Sequence, residues 1–171
     1  MIVCPRTPEQ AALLFSFLNE RGSPVRASPE LRLIGHVTNH EPHMINAVVA
    51  YDSFIGRVCS MHIAGEGVNW LDKTFLYVAF HYPFVLCDFV SIIATVPGDN
   101  EKALRFDKRI GFKTFDIIKD GWKPGISLHV LKMDKKDCRW LSRIKQPSFV
   151  NLSAIQPVEV FNVQPTAPGM H

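Results

Sequence analysis

The strongest constraint on the fold is an apolar run of strand length that leads directly into a capped helix. Residues 90–96 read VSIIATV, which suits a strand buried on both faces of a sheet. A Pro-Gly pair ends the run, and Asp99 or Asn100 can cap the helix that follows. The apolar side chains of this helix recur on one side, at Ala103, Phe106 and Ile110. Gly111 ends the helix. A buried strand next to an amphipathic helix predicts a layered α/β domain.

The rest of the chain predicts one more helix and several strands. A T-x-x-Q capping box at Thr7 and a closing Gly22 bound a helix with apolar residues at helical spacing. Residues 23–44 contain three prolines and predict loops with at most a short helix. Strands are predicted at residues 2–4, 45–51, 57–64, 113–118 and 127–133. The fold class is therefore α/β, with a mixed sheet flanked by helices.

Residues 74–82 are ambiguous between a strand and a helix. Aromatic and strand-preferring side chains fill them, and Pro83 ends them, so we expect a strand. A helix capped at Asp72 is the alternative.

Composition excludes several classes of protein. The chain has 171 residues, 47% of them apolar, which is enough to build the core of one domain. No apolar run is long enough to span a bilayer, and the first residues lack the pattern of a secretory signal, so we expect no membrane association. The chain has four widely spaced cysteines: Cys4, Cys59, Cys87 and Cys138. We interpret them as small apolar residues rather than as disulfides or metal ligands.

Charge is distributed unevenly along the chain. The net charge is +3, but residues 102–145 hold 13 Lys and Arg against 5 Asp. A basic half of this kind suits a phosphate-bearing ligand or an acidic partner, and nucleic acid stays open as a ligand. A solvated basic face is the alternative. The histidine run H-x3-H-x2-H at His36, His40 and His43 is interpreted as loop histidines, and no metal is expected.

The last 26 residues differ in character from the rest. Residues 146–171 contain four prolines and one acidic residue, and cannot form a core of their own. We therefore divide the chain into a domain at 1–145 and an extended tail at 146–171. The tail predicts a protein partner bound through residues 147–171, by strand addition or an extended embrace.

One segment resembles a known family. Residues 100–112, NEKALRFDKRIGF, are similar to the N-x-x-A…G-F helix of the GNAT acyltransferase superfamily, and the elements around it come in that family's order over residues 1–141. The stretches HYPF at 81–84 and MDKKDCRWL at 133–141 resemble acetyltransferase-like proteins of tailed bacteriophages.

The resemblance implies a cofactor and a place for it. In GNAT domains the fourth and fifth strands splay apart and admit the pantetheine arm of acetyl-CoA, while the helix between them binds the pyrophosphate. Cofactor contacts are accordingly expected from Tyr82, Phe84, Val85 and Asn100, with a plain helix cap as the alternative role of Asn100. The family's R/Q-x-x-G-x-G/A phosphate loop is expected to be lost, because residues 82–88 contain neither glycine nor a basic residue.

The resemblance also implies catalytic positions. A Tyr that protonates the CoA thiolate often stands four residues before the Gly of G-F, and Asp107 stands there in this chain. A carboxyl group donates a proton at neutral pH only if burial raises its pKa by several units. His81 is the first candidate for a general base and Glu66 the second; a structural or solvated role is the alternative for each.

Two function classes follow. The first is a phage structural or head-assembly protein with degraded catalytic motifs, which binds partner subunits, including other virion subunits, through its tail and basic face. The alternative is an acetyl-CoA-dependent N-acetyltransferase that acts on an amine. Both predict a location in the host cytoplasm or the virion.

Overall fold

The computed structural model describes residues 1–22, 24–40, 42–67 and 70–142. Within them, seven strands form one sheet in the order β1-β2-β3-β4-β5-β7-β6. The strands are β1 (Ile2–Val3), β2 (Arg32–Val37), β3 (Ile45–Ile55), β4 (Val58–Gly65), β5 (Ser91–Pro97), β6 (Lys113–Lys123) and β7 (Ile126–Asp134). The helices are α1 (Pro8–Arg21), α2 (Lys73–His81), α3 (Glu101–Ile110) and the short α4 (Arg139–Ser142).

The sheet is mixed because one strand pair is parallel. β4 pairs with β5 in parallel, whereas the other neighbouring strands in the order run antiparallel. The predicted mixed α/β architecture is therefore confirmed for the described residues. The predicted tail at 146–171 lies outside them, as does the domain boundary at 145.

The helix ends follow the capping signals in the sequence. The Thr7 hydroxyl accepts a hydrogen bond from the N–H of Gln10 at 3.3 Å, and the Gln10 side chain accepts from the N–H of Arg6 at 2.8 Å. The side-chain oxygen of Asn100 accepts from the N–H of Ala103 at 3.1 Å. Gly111 ends α3 with a φ of 123°, a backbone conformation that favours glycine.

The strand prediction for residues 74–82 is wrong, because they form α2. The Asp72 carboxylate accepts from the N–H of Phe75 at 2.7 Å and caps the helix. The side chains of residues 75–81 are all buried, so packing against the sheet outweighs their preference for strands. Pro83 does not end the segment; the chain continues through a π-helix, Tyr82–Leu86, that tolerates the missing N–H in its first turn.

The loop prediction for residues 23–44 is also wrong in part. β2 lies between Pro29 and Pro42 and pairs with β1 and β3. The prolines flank this strand instead of interrupting it, which is why proline content alone hides it.

The two faces of the sheet carry separate apolar clusters. The larger cluster packs α2 and α3 against alternate residues of β3, β4, β5 and β7. The smaller one packs α1 against the opposite face of β2, β3 and β4. Residues 59 and 61 of β4 therefore face α2, while Ala64 faces α1. No helix among the described residues is long and apolar enough to span a membrane.

Candidate active site

A cleft opens in the middle of the sheet, where β4 and β5 separate. The two strands pair only between residues 58–60 and 91–93. Beyond these pairs, β4 stays bonded to β3 and β5 to β7, so the strands lean away from each other. The gap holds a cavity of about 230 Å³. A larger cavity of about 1020 Å³ lies at the β1 edge and shares no lining residue with the cleft.

The lining of the cleft includes residues from both faces of the sheet. On the α1 face it is lined by the end of α1 and by polar residues of the two strands: Arg21, Gly22, His62 and Thr95. On the α3 face the walls are mostly apolar: Trp70, Ala94, Val96, Ala103, Phe106, Ile110 and Phe112.

Asp107 lies in the wall on the α3 face. The residue is 6% exposed, and its side chain makes no hydrogen bond or ion pair within the described residues. Burial raises the pKa of Asp107 to about 7. A large fraction of this carboxyl group is therefore protonated at neutral pH, which meets the condition for a proton donor.

Asn100 also lines the cleft, at the start of α3. Its side-chain oxygen caps the helix, so the plain structural role is realised. Its amide nitrogen has no hydrogen-bond partner among the described residues. Lys102, in the first turn of the same helix, adds a positive charge to the mouth.

The other residues expected at the cofactor site do not line the cleft. Tyr82 and Phe84 are buried in the core cluster on the α2 face, 1% and 0% exposed. Val85 is 47% exposed on the π-helix, outside the lining. These positions followed from the wrong strand at residues 74–82, which placed the connection between the two splayed strands at 82–88. The real connection is residues 66–90.

The two residues expected to act as a general base also lie outside the cleft lining. His81 is at the end of α2 rather than on a strand, packed against the Tyr77 ring at 5.1 Å, and burial lowers its pKa. Glu66 follows β4, and its carboxylate pairs with Arg21 at 2.7 Å. The strand position that motivated His81 is therefore wrong, and its role stays a prediction, as does that of Glu66.

The segment that precedes α2 has some features of a phosphate-binding loop and one feature that disfavours phosphate binding. Gly65 and Gly67 have the family's glycine spacing, and Lys73 begins the helix. Asp72, however, places its carboxylate over the first turn, where it accepts from a helix N–H. The expected loss of the glycine loop therefore rested on the wrong segment, and the structure shows a helix start that its own carboxylate caps.

Trp70 covers the β4 side of the cleft. Its ring lies so close to Gly65 that an added Cβ would be 2.2 Å from Cε2 of the indole. The ring also contacts Phe106, with centroids 5.4 Å apart. Gly65 is thus the residue that lets the indole reach the cleft wall.

His62 is the cleft residue that sequence reasoning missed. Its Nε2 lies 3.1 Å from Oδ1 of Asp52 on the neighbouring strand β3. The available signal was the alternation along β4, in which Ser60 and His62 are polar between apolar Cys59, Met61 and Ile63. It identifies a polar strand face but not the neighbouring cleft.

Comparison with solved structures agrees with the geometry of the splayed strands. Spermidine/spermine N-acetyltransferase SpeG from Vibrio cholerae, in a mutant form, matches with a TM-score of 0.63 at 13% identity over 83% of this chain and 97% of the enzyme. The same enzyme in complex with CoA and spermine matches with a TM-score of 0.61 at 12% identity, over 80% of this chain and 96% of that one. The fold is that of the GNAT acetyltransferases.

A more distant match is a GNAT-family acetyltransferase from Bacillus anthracis, with a TM-score of 0.51 and 12% identity over 61% of this chain and 66% of that one. A scan against protein-family models and a search of curated proteins both find no match. The structures named here are acetyltransferases, and they do not bear on the resemblance to phage proteins. At these identities, the likeness establishes the fold.

Proposed function

We propose that the protein is an acetyl-CoA-dependent N-acetyltransferase that acts on an amine. The observation that carries this proposal is the cleft between β4 and β5, which has lining residues on both faces of the sheet and holds the protonatable carboxyl group of Asp107 in its wall. The structural neighbours support it, since they are acetyltransferases of the same fold.

The residues of the cleft fit the acyl arm of acetyl-CoA better than its phosphates. Its walls on the α3 face are apolar and suit a pantetheine chain, and the free amide nitrogen of Asn100 can donate to a pantetheine carbonyl. The pyrophosphate would lie at the first turn of α2, near Lys73. The Asp72 carboxylate at this turn repels phosphate, so we expect weak binding of the cofactor.

Acetyl-CoA supplies an activated acetyl thioester. Asp107, whose carboxyl group is protonated in about half of the molecules at pH 7, donates its proton to the departing thiolate sulfur. Trp70 and Phe106 exclude water from the wall beside it. We assign the amine to the α1 face of the cleft, where Arg21 and Thr95 lie in the lining.

The first test is calorimetric titration with acetyl-CoA and a transfer assay that measures released thiol. The amines are a panel of spermidine, putrescine, an aminoglycoside and a lysine-containing peptide. Ala103→Trp fills the cleft from α3 and should abolish binding, while Val85→Trp places the same group on the exposed π-helix and should leave the affinity unchanged. Absence of acetyl-CoA binding by the unaltered chain would refute the proposal.

A binding role in a larger assembly, such as a virion, is the second candidate function. The observation that favours it is the edge strand β6, which exposes four large apolar side chains: Phe115, Ile117, Ile118 and Trp122. Within the part of the chain that the structure describes, no strand pairs with the outer side of β6, so this edge can pair with another chain. Light scattering of the full chain and of a variant lacking residues 147–171 tests this role, and monomers in both cases across the micromolar range would count against self-assembly.

A further inference from the structure

His62 and Asp52 form a hydrogen-bonded pair at the cleft, on the face that α1 covers. Asp52 lies opposite Ser60 in the β3–β4 ladder, so it is the diagonal neighbour of His62 on the same face. The Nε2 to Oδ1 distance is 3.1 Å, and the two side chains are 19% and 23% exposed. Packing on two adjacent strands therefore holds the imidazole in one orientation.

The hydrogen bond decides which ring nitrogen is basic. A carboxylate only accepts hydrogen bonds, so Nε2 of His62 carries the hydrogen and donates it to Asp52. The lone pair then lies on Nδ1, which has no hydrogen-bond partner among the described residues. A neutral imidazole that one carboxylate orients and whose other nitrogen is free is arranged to accept a proton from a nucleophile.

The position of His62 complements that of Asp107. Both line the cleft, His62 on the α1 face and Asp107 on the α3 face. The other charged side chains in the lining are Arg21, whose guanidinium is paired with Glu20 and Glu66, and Lys102. A proton acceptor thus lies where the amine enters, and a proton donor lies on the opposite side of the sheet.

We propose that His62 is the general base of this transferase and that Asp52 is its positioning residue, an inference that rests on the proposed function. As the amine nitrogen bonds to the acetyl carbon, it loses one proton to Nδ1 of His62. As the carbon–sulfur bond breaks, the sulfur keeps the electron pair and takes the proton of Asp107. The products are an acetamide and a free thiol, and the two side chains return to their starting states by passing one proton through solvent.

The kinetic test uses His62→Gln and Asp52→Asn, with His40→Gln, on an exposed loop, as the matched control. The acceptor is the amine of the panel that the unaltered chain acetylates fastest. We expect kcat to fall about 100-fold or more in His62→Gln and roughly 10-fold in Asp52→Asn, because general bases contribute factors of this order. The affinity for acetyl-CoA should be unchanged in both.

A second measurement does not depend on turnover. Long-range proton–nitrogen NMR spectra of ¹⁵N-histidine-labelled protein report which ring nitrogen carries hydrogen, and loss of one set of signals in His62→Gln assigns His62. We expect the Nε2–H form in the unaltered chain and a shift toward the Nδ1–H form in Asp52→Asn.

The outcomes separate the two proposals. If His62→Gln changes kcat by less than twofold, the inference that His62 is the general base is refuted, while the proposed acetyltransferase function stands. Failure of the unaltered chain to bind acetyl-CoA overturns both. If acetyl-CoA binds but no amine of the panel reacts, the NMR result decides, because an Nδ1–H tautomer of His62 refutes the inference and an Nε2–H tautomer supports it.

Discussion

Replacing Asp107 by Asn tests the proton donor through stability as well as activity. The folded-state pKa of Asp107 is about 7, against 3.8 for the unperturbed group. Between these two values the folded state binds more protons than the unfolded state, so the free energy of unfolding falls as the pH rises. The difference amounts to roughly 4 kcal/mol, because each unit of pKa shift corresponds to about 1.4 kcal/mol. The neutral Asn side chain does not incur this loss.

Urea unfolding of Asp107→Asn and of the unaltered chain at several pH values measures the effect. The variant should match the unaltered chain near pH 4 and exceed it by up to about 4 kcal/mol at pH 8. In the same variant, kcat should fall about 100-fold, since the thiolate loses its proton donor. Asp116→Asn, on the exposed strand β6, is the control. A stability difference that does not change between pH 4 and pH 8 would show that Asp107 is not held in a protonated state.

Three further predictions concern the surroundings of the cleft. Gly65→Ala forces the Trp70 indole away from the strand. We expect the free energy of unfolding, measured in urea, to fall by roughly 1–3 kcal/mol and the tryptophan emission to shift to the red. An unchanged emission spectrum would contradict the packing of Trp70 on Gly65. Asp72→Asn keeps the helix cap but removes the charge that opposes phosphate, and should tighten acetyl-CoA binding several-fold in calorimetry, whereas weaker binding would mean that the phosphates lie elsewhere. Tyr51→Phe removes a buried hydrogen bond to the carbonyl oxygen of Ala79 and should lower the free energy of unfolding by about 1–3 kcal/mol; an unchanged denaturant midpoint would show that this bond contributes nothing.

The parts of the fold that local chemistry determines were accessible from the sequence. The α3 unit is the clearest case, since the Asn100 side chain caps the helix and Gly111 ends it in a backbone conformation that favours glycine. Asp107, which the same unit offered as a catalytic candidate, lies in the lining of the cleft, and its role stays a prediction. Its raised pKa could only be stated as a condition, because burial depends on which elements pack over the carboxyl group.

Residues 74–82 show where local reasoning fails. Aromatic and β-branched side chains favour strands because they pack well on a pleated surface, but the same side chains pack equally well around a helix that is buried on nearly every side. The sequence signal that marks the helix is the Asp72 cap, a single side chain at its start. Once these residues were placed on a strand, the cofactor contacts shifted onto Tyr82 and Phe84, which lie in the core.

The proposed base, His62, and the proposed acid, Asp107, depend on different amounts of the fold. The side of α3 on which Asp107 lies depends only on its position in the helical repeat, so a motif of a few residues is enough to locate it. His62 needs three strands: β4 must present it, β3 must bring Asp52 to it, and β5 must separate from β4 after residue 60. The last of these conditions is a property of strand pairing across 33 residues of sequence rather than of any residue nearby. A residue that accepts a proton in the cleft of a splayed sheet is therefore identified from the pairing register of the strands. Here that register places Asp52 beside His62.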